Sequence, residues 1–211
     1  MTGFLLSYAF IDYPLSLARA LMWAMLVAAL VSVWRRHVGW RGIGFFRPRS
    51  WTAVLLIGVS GGISLQLLSI YALEPLLFQL TGAAPDYSDL VNMGELAGNW
   101  QLLGLSIVMM WIMGALLEEF FFRGYLLNRI ADLFSERRRG LAAGLVLSSA
   151  LFGANHVNYG VPVVIESGLF GIVFAALYLG TRCNLWTPLI LHGVVNTTFL
   201  VLAYLGPAAG P

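Results

Sequence analysis

Three short segments of the chain combine apolar residues with ionisable side chains whose spacing could serve chemistry. The segments are EEFFFR from residue 118, FGANH from residue 152 and HGVVN from residue 192. An ionisable group at membrane depth is costly, so it usually marks a functional site or an internal ion pair. Carboxylates and imidazoles can exchange protons at such a site. The spacing within each segment helps to separate these two roles.

The first segment places two adjacent glutamates before an arginine. Glu119 and Arg123 are four residues apart and share a helix face, which predicts an ion pair that offsets the burial of both. Glu118 points about 100° away from Glu119 on a helix of 3.6 residues per turn. We therefore predict a structural role for Glu119 and a position facing a cavity for Glu118.

The other two segments repeat the four-residue spacing. It places the ring of Phe152 beside the imidazole of His156, and it lets His192 and Asn196 point towards one place. Taken singly, each feature also has a structural interpretation, because a span histidine often packs in the core and a span asparagine often joins helices. The functional interpretation gains weight only when the three segments are considered together.

The composition indicates an integral membrane protein. The chain has 211 residues, of which 59% are hydrophobic and 10% are charged, whereas a soluble domain is about 25% charged. No linker or charge run divides the chain, so we expect a single membrane domain over residues 1–211, with its motifs at about 100–200. Cys183 is the only cysteine, so the chain forms no internal disulfide.

Helices are the only reasonable spanning elements for this pattern, because backbone polar groups must be satisfied inside lipid. We predict an all-α, polytopic transmembrane helix bundle of about six spans. The six apolar segments long enough to cross the bilayer are 14–34, 52–73, 101–128, 141–158, 161–181 and 185–205. The opening residues 1–13 are apolar too, and we place them in the interface, without a cleavable signal peptide.

The arginines predict the orientation of the bundle. Both the loop 35–49 and the loop 129–139 are rich in arginine, and Arg182 precedes the last span, whereas the loop 74–99 holds four acidic residues and no arginine. By the positive-inside rule the arginine-rich loops are cytoplasmic and both termini lie outside. We expect the plasma membrane as the location.

The depths of the polar residues follow from the predicted spans. At about 1.5 Å per residue from the cytoplasmic ends, His192 lies about 10 Å deep, Glu118 and Asn196 about 15 Å, and His156 about 22 Å. The four side chains can then meet near the midplane, in a cavity that we predict to be more accessible from the cytoplasm.

The three motifs, in this order on separate spans, resemble those of the CAAX protease and bacteriocin-processing (CPBP, or Abi) family of intramembrane endopeptidases. The sequence is similar to the type II CAAX prenyl endopeptidases in particular. The resemblance covers about residues 100–200, and the first two spans contribute no motif. It implies a membrane-embedded peptidase acting on a peptide or a lipidated C-terminal protein in the lipid bilayer, with no nucleic-acid partner.

The resemblance also implies roles for the motif residues. Glu118 would be the general base that activates water, and His156 would help to hold that water. His192 and Asn196 would supply hydrogen-bond donors to the oxyanion of the tetrahedral intermediate. No Ser or Cys lies beside a His and a carboxylate in the pattern of a nucleophile, so we expect no covalent intermediate.

The resemblance also bears on two supporting residues and on whether the site contains a metal. Glu119 and Arg123 would brace the third span and orient Glu118. The family is commonly labelled as metalloproteases, and Glu118, His156 and His192 could form a three-ligand zinc site with one open position. The sequence lacks the His-Glu-x-x-His spacing, however, and we favour a glutamate-activated water without metal.

Two other classes of function stay open at this point. One is a non-proteolytic membrane scaffold or bacteriocin-immunity protein that keeps the motifs as structure. The other is a proton-coupled transporter with Glu118, Glu166 and the histidines as a relay, which the lack of an inverted repeat disfavours. These residues also have purely structural interpretations: Glu166 joins helices, and the glycines of GVSGG and GLFG pack helices together. Arg19 extends its side chain to the membrane surface or pairs with Asp12 or Glu166.

Overall fold

Six long helices form the part of the chain that the computed structural model describes, which is residues 17–87 and 93–206, with the backbone alone at 17–22 and 93–94. They are α1 Leu17–Arg35, α2 Trp51–Thr81, α3 Trp100–Ala131, α4 Arg137–Ala154, α5 Val161–Gly180 and α6 Trp186–Leu205. Short helical segments at Trp40–Ile43, Met93–Leu96 and Val157–Tyr159 lie in the connections. The predicted segment 1–13 and the predicted pairing of Arg19 lie outside the described side chains.

The hydropathy of these helices fits a membrane bundle. Four of them, namely α2, α3, α5 and α6, are long and apolar enough to cross a bilayer, and Trp23–Arg35 is a shorter apolar helix. Helix α4 begins with three arginines that the sequence had placed in the loop. The prediction of an all-α membrane bundle is confirmed, with α2 and α3 longer than expected.

Local sequence signals set several helix ends. The Ser50 side chain accepts a hydrogen bond from the Ala53 amide at 3.2 Å and caps α2, and Asn99 caps α3 through the Leu102 amide at 3.1 Å. Helix α2 ends at Gly82, whose φ of 68° is left-handed and suits glycine.

Glycines allow the helices to approach closely. A Cβ atom on Gly62 of α2 would lie 2.7 Å from the Leu191 carbonyl oxygen of α6, and one on Gly153 of α4 would lie 2.5 Å from the Val164 oxygen of α5. Small residues permit such contacts in membranes, where packing rather than water drives helix association. The predicted packing role of GVSGG is confirmed, and Gly171 of GLFG likewise lies against Ser149 of α4.

We expected the third span to be a regular α-helix, but α3 is not uniformly α-helical. It is π-helical over Met110–Leu117 and again over Phe120–Leu127, so the two glutamates lie between two wide segments. Helix α2 has a π-helical turn at Ser69–Leu73. Such segments are rare and often occur at functional sites.

Exposed aromatic side chains mark the two ends of the bundle. Trp40 and Trp51 are exposed at the arginine-rich end, and Trp100 is exposed at the opposite end. Tryptophan is enriched at membrane–water interfaces.

Candidate active site

A cavity of about 250 Å³ contains all four residues that the sequence had singled out for chemistry. Glu118 of α3, His192 and Asn196 of α6, and His156 from the turn after α4 line it together. Phe152, Phe170 and Phe174 contribute much of its apolar wall. Residues from three separate motifs thus share one cavity.

Glu119 lies behind this cavity and is fully buried. Its Oε1 accepts a hydrogen bond from Nη1 of Arg123 at 2.9 Å, so the predicted ion pair is present. The same oxygen lies 2.9 Å from Nδ1 of His192, a contact that the sequence did not predict. A carboxylate oxygen facing these donors accepts, so Nδ1 of His192 carries a hydrogen and its Nε2 is directed elsewhere.

Glu118 and His192 face each other across the cavity. Oε2 of Glu118 lies 3.9 Å from Nε2 of His192, which is within ion-pair range but too long for a direct hydrogen bond. The Glu118 side chain is 12% exposed, whereas that of Glu119 is fully covered. Glu118 therefore faces the cavity and Glu119 is buried behind it, as the helix geometry predicted.

Aromatic rings hold the buried arginine in place. The Arg123 guanidinium carbon lies 4.4 Å from the ring centre of Phe152 and 5.1 Å from that of Phe174. Its Nη2 donates to the Gly171 carbonyl oxygen at 3.2 Å. His192 stacks on Phe174 with ring centres 4.7 Å apart. The cation–π contacts and hydrogen bonds offset part of the cost of burying a charge.

His156 lies beyond the end of α4, in a turn, and not within the fourth span as predicted. Its Nδ1 is 2.8 Å from the Phe152 carbonyl oxygen. A carbonyl oxygen only accepts, so Nδ1 donates and Nε2 of the neutral ring is left as an acceptor. The predicted contact of this imidazole with the Phe152 ring is present, with ring centres 4.9 Å apart.

Asn196 fits into a space that a glycine leaves open. A Cβ atom on Gly114 of α3 would lie only 2.9 Å from Nδ2 of Asn196. Nearby, Nε1 of Trp111 donates to the Thr197 hydroxyl at 3.0 Å, and Gly193 lies directly against the Trp111 ring. These contacts between α3 and α6 fix the position of the amide relative to Glu118.

Further polar residues line the cavity that sequence reasoning had not assigned to it. Glu166 accepts a hydrogen bond from the Ser69 hydroxyl, so its predicted role in joining helices is confirmed, and it also lines the cavity with Gln66 and Tyr87. Burial, with the nearby Glu166 and Glu74 carboxylates, raises the pKa of the Tyr87 phenol, which stays protonated as a donor. No spacing signal links these residues along the chain.

The cavity extends towards the arginine-free end of the bundle. Tyr87, from the loop after α2, and Tyr159, from the turn between α4 and α5, both line it. Tyr87 packs against Phe199 with ring centres 5.0 Å apart. No residue of the arginine-rich loops lines this cavity within the described ranges. The lining therefore favours access from the arginine-free end rather than from the arginine-rich side that we expected.

The arrangement of Glu118, His156 and His192 also bears on metal binding. Among residues 17–87 and 93–206, no group of three or more His, Cys, Asp or Glu side chains is arranged to hold a metal ion. Nδ1 of His156 and of His192 is engaged by Phe152 and Glu119 respectively, which leaves Nε2 of each ring as the nitrogen that could bind a ligand or a metal. The side chains as placed do not form the three-ligand zinc site, and metal dependence stays a matter for experiment.

Comparison with known proteins identifies the motif-bearing segment. Residues 100–198, just under half of the 211-residue chain, match the family model described as "Type II CAAX prenyl endopeptidase Rce1-like". No curated protein and no solved structure matches the chain. The resemblance seen in the three motifs is thereby confirmed. Residues 100–198, which carry Glu118 and its partners, are thus similar to the Rce1-like family of CAAX-type proteases, and the chain is an integral membrane protein.

Proposed function

We propose that the protein is an intramembrane endopeptidase in which Glu118 activates a water molecule for attack on a peptide bond. The observation that carries this proposal is the shared cavity of Glu118, His156, His192 and Asn196. A carboxylate, an acceptor nitrogen and an amide donor around one space are the groups that peptide hydrolysis needs.

In the first step the Glu118 carboxylate removes a proton from water. The Nε2 of His156 accepts the other hydrogen of that water and orients it, because its Nδ1 already donates to Phe152. The water oxygen bonds to the carbonyl carbon, and the π electrons of the carbonyl move to its oxygen. Glu118 then passes its proton to the leaving nitrogen as the C–N bond breaks, which yields a carboxylic acid and an amine.

Asn196 and His192 are the proposed donors to the oxyanion. The Asn196 amide can donate directly from Nδ2. His192 donates its Nδ1 hydrogen to Glu119, so its Nε2 can donate only when the ring is the imidazolium cation. In that form the ring would lie 3.9 Å from Oε2 of Glu118.

Glu119 and Arg123 act as positioning residues in this scheme. Glu119 bonds both Arg123 and His192 through one oxygen, so it ties α3 to α6 at the level of the cavity. The buried guanidinium in turn fixes Glu119 from the other side. This arrangement holds the Nε2 of His192 towards Glu118 before substrate binds, which is the preorganisation that electrostatic catalysis requires.

We propose a peptide or a lipidated protein C-terminus as the substrate, as the family description suggests. The cavity wall contains methionines, valines and phenylalanines, which suits an apolar segment or a lipid chain. We also propose that the arginine-rich loops face the cytoplasm of the plasma membrane. The Tyr87 end of the cavity then lies towards the outside, with substrate entering from that half of the bilayer.

Cleavage of a prenylated reporter peptide by the purified protein in detergent tests the proposal. Glu118→Gln should lower kcat by about 10²- to 10⁴-fold, the range for a lost general base. Glu136→Gln is the matched control, because Glu136 is exposed and pairs with Arg139 near the surface, away from the cavity. Full activity of Glu118→Gln in a correctly folded sample would overturn the mechanism.

A further inference from the structure

A second cavity lies at the arginine-rich end of the bundle, away from Glu118. It has a volume of about 300 Å³ and lies between the start of α2 and the connection from α5 to α6. Arg47, Arg49 and Arg182 line it, and no acidic side chain does among the residues that the structure describes. None of the motif residues contributes to it, so it is separate from the proposed active site.

The three arginines are available to a ligand. All three are exposed. The ion pairs formed by arginines among the described residues involve Arg123, Arg129, Arg137 and Arg139 instead. Three cationic groups around one cavity, without described acidic partners, favour an anion, and guanidinium groups match phosphate oxygens with paired hydrogen bonds.

The loops that carry these arginines are fixed to each other. The Asn184 side chain, which is buried, donates to the Phe46 carbonyl oxygen at 2.8 Å. The Leu185 amide donates to the Gly44 oxygen at 3.0 Å. These bonds join the connection before α2 to the connection before α6, so the arginines are held around a formed cavity rather than on independent loops.

The cavity is polar at one end and apolar along its floor. Ala53, Val54 and Ile57 line it from one face of α2 and lead away from the arginines into the span. From Ser50 to Ile57 the helix rises about 10 Å. Trp51 and Trp186, whose ring centres are 5.4 Å apart, lie at this level of the bundle, which matches the usual interfacial position of tryptophan.

We propose that this cavity binds an anionic glycerophospholipid, with its phosphate on Arg47, Arg49 and Arg182 and an acyl chain along α2. The three arginines favour an anionic headgroup. The apolar surface of Ala53, Val54 and Ile57 favours a ligand with an acyl chain over free phosphate. An arginine near a membrane surface strengthens the binding of acidic lipid by about fivefold. The proposal is independent of the peptidase mechanism.

Lipid binding to the purified full-length chain tests the site. Native mass spectrometry in neutral detergent would compare phosphatidylglycerol with phosphatidylcholine of the same chain length, and a third arm would add inorganic phosphate as a competitor. We expect phosphatidylglycerol to bind at least tenfold more tightly than phosphatidylcholine, and millimolar phosphate to compete poorly.

Two sets of variants locate the binding. Changing Arg47, Arg49 and Arg182 together to Gln should weaken phosphatidylglycerol binding by roughly 100-fold, at about fivefold per arginine. The matched control changes three other exposed arginines of the same end to Gln; these are Arg36, Arg41 and Arg138. This control should keep the affinity, and circular dichroism checks the fold of both variants.

Ala53→Trp tests the apolar floor separately from the charge. The indole would fill the chain groove while leaving the three arginines in place, so phosphatidylglycerol binding should fall by at least tenfold. Equal affinity for the two lipids, or an equal loss in the control triple variant, would overturn the proposal. Full competition by phosphate with unchanged binding to Ala53→Trp would show a free-anion site instead, which also overturns it.

Discussion

The substitution Gly114→Ala should disable the proposed oxyanion site without removing any motif residue. The new Cβ would lie 2.9 Å from Nδ2 of Asn196 and 3.6 Å from Sδ of Met110, whereas ordinary contacts begin at 3.4 Å. The Met110 contact is tolerable, so the amide of Asn196 has to move, by about half an ångström or more. Misplacement of a catalytic group by about 1 Å can cost 10²-fold in rate.

The loss of kcat in Gly114→Ala should be smaller than the loss on removing the Asn196 amide altogether. Complete loss of an oxyanion donor costs about 10²- to 10³-fold in kcat, which sets the ceiling for Asn196→Ala. Gly114→Ala should lower kcat by roughly 10- to 100-fold, because the amide is displaced but present. KM should change little, since the lost interaction is made mainly in the transition state. Stability should not fall much, because alanine favours a helix over glycine by up to about 1 kcal/mol.

Steady-state cleavage of the reporter peptide measures this prediction, and the chain offers a matched control. Gly104 lies on the same helix, and a Cβ atom there would have nothing within 4 Å. Gly104→Ala should retain wild-type kcat. The variant that combines Gly114→Ala with Asn196→Ala should be no slower than Asn196→Ala alone, because both changes act through one amide. An additive loss in the double variant, or full activity of Gly114→Ala, would refute this reasoning.

Three further predictions test the surrounding structure. Arg123→Leu should lower the free energy of unfolding by about 3–5 kcal/mol, because it leaves Glu119 buried without its cation, and addition of Glu119→Gln should restore part of the loss in a denaturation assay. Chelator treatment of the purified protein should leave cleavage intact, and stoichiometric zinc whose removal abolishes activity would contradict the metal-free mechanism. In a Cys183→Ser background, Ala84→Cys should react with a membrane-impermeant maleimide on intact cells while Ser135→Cys should not, and the reverse pattern would show the opposite topology.

Local spacing predicted much of the site correctly. The ion pair of Glu119 with Arg123 and the contact of Phe152 with His156 both follow from a four-residue separation, which places side chains on one helix face. The six helices follow from the length and polarity of the apolar segments. The glycine contacts follow from the preference for small residues where helices meet in a membrane.

Contacts between helices that are far apart in the sequence could not be predicted from the sequence. Glu119 and His192 are 73 residues apart, and no local pattern specifies how α3 packs against α6. Glu166 and Tyr87 enter the cavity for the same reason, through the packing of α5 and of the loop after α2. The π-helical segments on both sides of the glutamates depend on hydrogen bonding that residue types do not dictate.

The depth estimated for His156 agrees with the structure, although its local conformation does not. The estimate placed this residue farthest from the arginine-rich end, and it lies in the turn that follows α4, which ends at Ala154. Counting residues along the spans could not show which loops surround the cavity, because that depends on how the loop after α2 and the turn before α5 pack. Their residues Tyr87 and Tyr159 line the cavity and favour access from the arginine-free end.

The chemical step itself gives the most direct test of the role of Glu118. A reporter peptide is bound first, and a single turnover is then followed for wild-type protein and for Glu118→Gln at saturating enzyme. The proposed mechanism predicts similar dissociation constants and a cleavage rate constant lower by at least about 10²-fold in the variant. An unchanged rate constant for the bound peptide would contradict activation of water by Glu118.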